Sequence, residues 1–168
     1  AATTGGIAAL FFAIDAVTVH PNRMVLVLAG ALGLACVGFL PYNLRPRRPA
    51  AVFMGDSGSQ LLGFTLAALG LLTSYKVAST TVATLLLPIL VLAVPILDTT
   101  LVTIVRLLER RPISRGGRDH ASHRLVERGL SEKRAVILLA AIAALLGGTS
   151  LAYNVAGNNR LTLVGVLL

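Results

Sequence analysis

Long apolar runs separated by short polar turns constrain the fold of this sequence more than any other feature. An apolar run of about 20 residues is the length that a helix needs to cross a bilayer. Five runs lie at about 5–19, 24–40, 60–73, 80–108 and 135–153, and a sixth begins at Leu161 and is cut off after eight residues. The sequence therefore predicts an all-α fold, a polytopic integral membrane helical bundle with about five complete spans plus a truncated sixth. We expect one transmembrane domain over 1–168.

The composition supports a membrane protein and argues against a nucleic-acid partner. Hydrophobic residues make up 55% of the chain and charged residues 13%, against about 25% charged residues in soluble domains. The net charge of +8 would suggest nucleic acid in a soluble chain, but here the basic residues lie between apolar runs. The single cysteine, Cys36, lies inside such a run, so a disulfide framework is excluded.

The distribution of basic residues predicts the orientation of the chain. Twelve of the fifteen Lys and Arg residues fall within 43–55 and 106–134. The alternate loops hold only Arg23, Lys76 and Arg160. Cytoplasmic loops of membrane proteins carry an excess of Lys and Arg, so we expect cytoplasmic loops at about 41–59 and 109–134.

An acidic residue between two glycines marks the first of these loops. The run Val-Phe-Met-Gly-Asp-Ser-Gly-Ser at 52–59 places Asp56 directly ahead of an apolar run, at the mouth of a predicted membrane helix. Gly55 and Gly58 let the backbone approach a ligand closely, and the unpaired N–H groups that open the helix favour anions such as phosphate. The alternative is an interfacial turn in which Asp56 or Ser57 only caps the helix.

Three other ionisable residues are predicted at the cytoplasmic face. Asp98 lies ~27 Å along the long fourth helix, in which Pro88 and Pro95 predict kinks or breaks. His120 and His123 are three residues apart and would share a face in a helix. The alternatives for the histidines are a solvated loop helix and a zinc site, although no Cys or third ligand lies nearby in the sequence.

A transporter is the alternative class of membrane protein. Transporters place ionisable residues near the bilayer midplane and often contain repeated, broken helices. Here only Asp15 lies inside a span, about one turn from its end, where it can reach water or pair with Arg23. The sequence therefore favours an enzyme over a transporter.

Three motifs, in their order and spacing, resemble the polyprenyl-phosphate N-acetylhexosamine-1-phosphate transferases of the glycosyltransferase 4 type. The motifs run from Phe53 to Ser59, from Pro95 to Asp98 and from Arg118 to Leu125. Within that family the chain is most similar to the undecaprenyl- or decaprenyl-phosphate GlcNAc-1-phosphate transferases. The resemblance implies a bacterial inner-membrane enzyme with cytoplasmic active-site loops. It would transfer a sugar-1-phosphate, here GlcNAc-1-phosphate, from a UDP-sugar to a polyprenyl phosphate lipid and release UMP, the first membrane step of cell-envelope polysaccharide synthesis.

The resemblance also implies a role for each matching residue. Asp56 matches the acid of the Mg²⁺-diphosphate site, and Asn43 matches a polar position upstream in the same loop. Asp98 matches the acid after the proline of the long helix, and His120 and His123 match a histidine cluster associated with nucleotide-sugar binding and catalysis. The implied catalytic residues are Asp56, Asp98, His120 and His123, with Asp56 as the ligand of Mg²⁺ or, alternatively, Mn²⁺. The implied substrate-binding residues are Asn43, Ser57, Gly58, Arg118 and Arg124.

The chain departs from the family pattern in two respects. Ser122 stands where many members have a third histidine. The family's upstream acidic pair and Asp-Gly-Leu-Asp-Gly motif are not in this sequence, so we expect a C-terminal fragment that is inactive alone. The alternative within the same family is the phospho-MurNAc-pentapeptide translocase of peptidoglycan synthesis. The resemblance also allows a homodimer.

Overall fold

The computed structural model describes residues 1–45, 50–76, 88–112 and 120–156, whose regular structure is entirely helical. The helices are α1 (Ala2–Thr18), α2 (Arg23–Asn43), α3 (Gly55–Lys76), α4 (Ala93–Leu108), α5 (Ala121–Glu127) and α6 (Glu132–Ala156), with a further helical stretch at 88–91. The predicted all-α class is confirmed for the described residues.

Two helices in the described ranges are long and apolar enough to cross a membrane. They are α2 and the part of α6 from Glu132 to Ala152, each with 21 residues. Helix α1 is also apolar but has 17 residues, and α3 has 22 residues but opens with a polar turn around Asp56. The class of an all-α membrane protein is confirmed. The count of five spans plus a sixth stays a prediction, because 77–87 and 157–168 lie outside the described residues.

Helix α1 is the element around which α2, α3 and α6 pack. Gly6 faces Cys36 of α2 so closely that an added methyl group would lie 3.1 Å from the Cβ of that cysteine, and Ala9 faces Gly33 of the same helix. The residues of α1 with no exposed surface are Ala8, Ala9 and Phe12. Small residues let helices approach closely where lipid supplies no hydrophobic drive between them. The order of the contacts shows that α1 and α2 run antiparallel.

The contacts between α1 and α3 set the direction of α3. Gly5 faces Leu62, and the ring of Phe12 approaches Gly70, so the two helices run parallel. The start of α1, the end of α2 and the start of α3 therefore lie together. We call this end of the bundle the α1-start end.

Capping by side chains sets two of the helix boundaries. Asn22 caps α2, since its Oδ1 accepts hydrogen bonds from the N–H groups of Met24 at 3.2 Å and Val25 at 3.4 Å. Ser131 caps α6, since its Oγ accepts from the N–H of Arg134 at 3.4 Å. The cap explains why α6 starts at Glu132, three residues before the apolar run at 135–153.

Both predicted cytoplasmic loops contain more helix than expected. In the predicted loop at about 41–59, α2 continues through Pro41 to Asn43 and α3 starts at Gly55. Within 109–134 the chain forms α5 and the first turn of α6.

The long fourth helix is interrupted, as its prolines predict. The break lies at Leu92, between the helical stretch 88–91 and α4. Pro95 is the third residue of α4 and has no N–H to donate to the carbonyl of Val91, so the hydrogen-bond ladder is weakened at the break. The expected helical residues 80–87 lie outside the described ranges.

Asp15 pairs with His20, and the expectation that it reaches water or pairs with Arg23 is wrong. Both carboxylate oxygens lie 3.2 Å from Nδ1 of His20, and Asp15 is only 1% exposed. The N–H of His20 donates to the carbonyl of Asp15 at 2.9 Å. This turn brings the imidazole next to the carboxylate at the end of the bundle opposite the α1-start end.

The contact between α6 and α1 predicts that alanine substitutions at two neighbouring glycines of α6 have different effects on stability. A methyl group at Gly147 would lie 2.9 Å from Cγ of Phe11, whereas one at Gly148 would lie 4.0 Å from the nearest atom of the same ring. We expect Gly147→Ala to lower the free energy of unfolding by about 1–3 kcal/mol through overpacking. The control Gly148→Ala should be neutral or stabilising by up to about 1 kcal/mol. Thermal unfolding in detergent measures the stability of both variants. Equal losses of stability would contradict the close packing of α6 on α1.

Candidate active site

The carboxylate of Asp98 joins α4 to α5. Its Oδ1 accepts a hydrogen bond from the N–H of Ala121 at 2.6 Å, and its Oδ2 lies 3.0 Å from Nδ1 of His120. Ala121 is the first residue of α5, so its N–H has no partner inside the helix. A negative charge is also favourable at a helix N-terminus. Both oxygens of Asp98 therefore have protein partners, which lie 22 and 23 residues away in the sequence.

The two histidines differ in their backbone setting. His120 precedes α5 and is extended, with φ −65° and ψ 152°, whereas His123 lies within the first turn of the helix. The expectation that both share one face of a helix therefore fails for His120, because it is the capping residue. Its carbonyl accepts from the N–H of His123 at 2.9 Å. The side chain of His120 is 47% exposed and His123 is also exposed, so both rings can reach a ligand.

Asn43 fastens the loop that leads to Asp56. Its Nδ2 donates to the carbonyl of Val52 at 3.0 Å, and the neighbouring carbonyl of Tyr42 accepts from the N–H of Ala51 at 2.9 Å. The two bonds tie the last turn of α2 to the segment just before α3. The structure thus gives Asn43 a role in holding this segment, and its contact with substrate stays a prediction.

The start of α3 presents Asp56 to solvent. Gly55 has φ +66°, a backbone conformation that favours glycine, and it turns the chain into the helix. Asp56 is exposed in the first turn. Within the described residues its carboxylate accepts no hydrogen bond from the protein, and only its carbonyl is used, by Oγ of Ser59 at 3.0 Å. This carboxylate is available to a ligand.

Gly58 has a packing role that the motif alone does not reveal. A methyl group at this position would lie 2.7 Å from Cγ of Met54, and Met54 packs against the core of the bundle. Glycine at this position therefore lets Met54 anchor the start of α3. The binding of substrate by Ser57 and Gly58 stays a prediction.

The α1-start end brings the polar groups of three segments together. Asn43 is the last residue of α2 and Asp56 lies in the first turn of α3, both at this end. Asp98 lies near Ala1, the residue that precedes α1, and it holds His120 there. Four of the predicted site residues thus share one end of the bundle.

Of the two acids Asp56 and Asp98, only Asp56 has a carboxylate that is open to a divalent cation. No group of three or more His, Cys, Asp and Glu side chains that could hold a metal occurs in the described ranges. Mg²⁺ needs no such group, because it usually takes one or two carboxylates plus substrate phosphate and water. Asp56 is open to such a cation, whereas the oxygens of Asp98 already accept hydrogen bonds.

Of the two arginines predicted to bind substrate, the structure describes one. Arg118 lies outside the described residues. Arg124 lies in α5, half-buried and already engaged with a partner. One further contributor, the backbone N–H of Ala121, was not predictable from the sequence, because a backbone donor has no residue-type signature.

Comparisons with known proteins identify relatives over most of the chain. The model of glycosyl transferase family 4 matches residues 1–74. The chain is 40% identical over 116 residues to the probable undecaprenyl-phosphate N-acetylglucosaminyl 1-phosphate transferase of Bacillus subtilis, covering 69% of this chain and 31% of that protein. It is 37% identical over 134 residues to the decaprenyl-phosphate N-acetylglucosaminephosphotransferase of Mycolicibacterium smegmatis, covering 74% and 31%.

A shorter match links the chain to a second kind of transferase. It is 43% identical over 74 residues to the phospho-N-acetylmuramoyl-pentapeptide-transferase of Trichormus variabilis, covering 44% of this chain and 19% of that protein. The chain spans about a third of the length of the first two relatives, 31% in each case. No solved structure matches it.

The hydrogen bond from Asn43 to the carbonyl of Val52 predicts that loss of this one donor loosens the segment before α3. Asn43→Asp keeps the shape of the side chain but removes the N–H that bonds to Val52. Loss of one hydrogen bond, worth about 1 kcal/mol, should speed hydrogen exchange of the Ala51 amide about fivefold. The control Asn22→Asp keeps an oxygen acceptor at the start of α2 and should leave that amide unchanged. An Ala51 amide that exchanges equally fast in both variants would mean that Asn43 does not hold the loop.

Proposed function

Because this chain belongs to glycosyl transferase family 4, we propose that the protein containing it transfers GlcNAc-1-phosphate from UDP-GlcNAc to a polyprenyl phosphate. The observation that carries this proposal is the extent of the matches. The two relatives named as N-acetylglucosamine phosphotransferases align over 116 and 134 residues. The pentapeptide transferase aligns over 74, so the phospho-MurNAc reaction is not favoured.

In the proposed reaction an oxygen of the lipid phosphate attacks the β-phosphorus of the UDP-sugar. The bond between that phosphorus and the bridging oxygen breaks, and UMP leaves with the electron pair. The products are polyprenyl-diphosphate-GlcNAc and UMP. The transition state gathers several negative charges, which must be offset by cations and hydrogen-bond donors.

The open carboxylate of Asp56 supports its proposed role as the ligand of Mg²⁺, with Mn²⁺ as an alternative. When bound, the cation would offset the charge of the diphosphate and polarise its oxygens. The side chain is exposed at the start of α3, where the N–H groups of the first turn also favour phosphate. Ser57 and Gly58 would contribute to the same phosphate site.

The histidines of α5 would contact phosphate or carry protons. Both rings are exposed, and imidazole changes its protonation state near neutral pH. Arg118 and Arg124 would add guanidinium donors for phosphate oxygens. We further propose that the protein is a multi-pass protein of the bacterial inner membrane, with the α1-start end at the cytoplasm, where UDP-sugars are found.

The metal role of Asp56 is testable in the full-length protein. Asp56→Asn removes the negative charge that would hold Mg²⁺ and should lower Mg²⁺-dependent release of UMP about 100-fold or more. The matched control Glu127→Gln removes an exposed acid from α5 and should leave turnover nearly unchanged. Radiolabelled transfer to polyprenyl phosphate measures both. Near-normal turnover of Asp56→Asn would rule out its role as a metal ligand.

A further inference from the structure

We propose that Asp98 is a positioning residue that sets the tautomer and orientation of the His120 ring, so that Nε2 of this ring, and not Asp98, faces the substrate. This proposal rests on the proposed transferase function for the identity of the substrate. It changes the role that the family resemblance implies for Asp98, which is that of a catalytic residue. The geometry around its two oxygens carries the proposal.

The contact between Asp98 and His120 decides which ring nitrogen carries the hydrogen. An ionised carboxylate can only accept hydrogen bonds. Since Oδ2 lies 3.0 Å from Nδ1 of His120, Nδ1 must carry the hydrogen. In a neutral imidazole the other nitrogen, Nε2, is then an acceptor. The carboxylate thus selects one of the two tautomers.

Asp98 also fixes the position of the His120 ring. The same carboxylate binds the N–H of Ala121 at 2.6 Å, directly after His120 in the chain. The backbone beside the histidine and the ring itself are therefore held by two oxygens of one group. The ring is 47% exposed, so few packing contacts hold it, and side chains that act on substrate need such support.

Asp98 and Asp56 differ in the hydrogen-bond donors that surround their carboxylates. A cation bound to Asp98 would lie beside two hydrogens that already point at its oxygens, from Ala121 and His120. Asp56 has no such competing donors among the described residues. The two acids therefore have different roles: Asp56 is open to a cation, and Asp98 holds His120.

Asp98→Asn is the informative variant, because the fixed N–H of Ala121 dictates how the new amide lies. The amide oxygen must stay with Ala121, so the hydrogen bond to the first N–H of α5 is kept. The amide nitrogen then faces Nδ1 of His120 and donates to it. The ring must change to the tautomer that carries its hydrogen on Nε2.

The direct test is ¹⁵N NMR of the histidine rings in the full-length protein in lipid nanodiscs. Spectra are recorded at about pH 8.5, above the usual titration range of imidazole. The signal of His120 is assigned by its absence in His120→Gln. We expect the hydrogen on Nδ1 in the native protein and on Nε2 in Asp98→Asn, with the His20 signals unchanged as a control for folding. A His120 tautomer that does not change in Asp98→Asn overturns the proposal.

A double-mutant cycle tests the consequence for turnover. We expect Asp98→Asn to lower kcat at least about tenfold without raising the Mg²⁺ concentration needed for half-maximal activity. In the His120→Gln background it should cause no further loss, because Asp98 acts through His120. Equal losses in both backgrounds would mean that Asp98 touches substrate or cation directly, and the proposal would be wrong. If the native protein showed no transfer, the proposed function would fail, while the NMR result would still decide the role of Asp98.

Discussion

Close contact between α1 and its neighbours is the constraint on which the rest of the structure depends. Gly5 and Gly6 let α3 and α2 approach the start of α1, where larger side chains would hold the helices apart. In a membrane this contact rests on packing and not on the removal of apolar surface from water. It brings the end of α2 and the start of α3 to one level, so that Asn43 and Asp56 belong to one surface although 12 residues separate them.

The acids of the chain differ in chemistry because they differ in their partners. Asp15 is buried and paired with His20 at the far end of the bundle. At the α1-start end, Asp98 is occupied by Ala121 and His120, whereas Asp56 is exposed. In the proposed reaction, Asp56 would offer the open carboxylate to a cation, and His120, held by Asp98, would face the substrate.

Properties of residue type were predictable from the sequence, and pairings across long stretches were not. Apolar run length gave the all-α membrane class, and the glycines around Asp56 indicated a helix start at the site. Proline chemistry gave the break before α4. The bond from Asp98 to Ala121 was not predictable, because it joins residues 23 apart through a backbone donor. The His20 partner of Asp15 was missed because the turn, and not charge, decides which residue meets the carboxylate.

The central claim is that Asp56 and the α5 segment share one side of the membrane, opposite the turn that holds His20. Sided labelling of single cysteines in the full-length protein, with native cysteines removed, tests this most directly. Ser57→Cys and Arg128→Cys should react with a membrane-impermeant maleimide only from the cytoplasm, and Pro21→Cys only from outside. Labelling of the Ser57 and Arg128 positions from opposite sides would contradict the account, because no single site could then contain both segments.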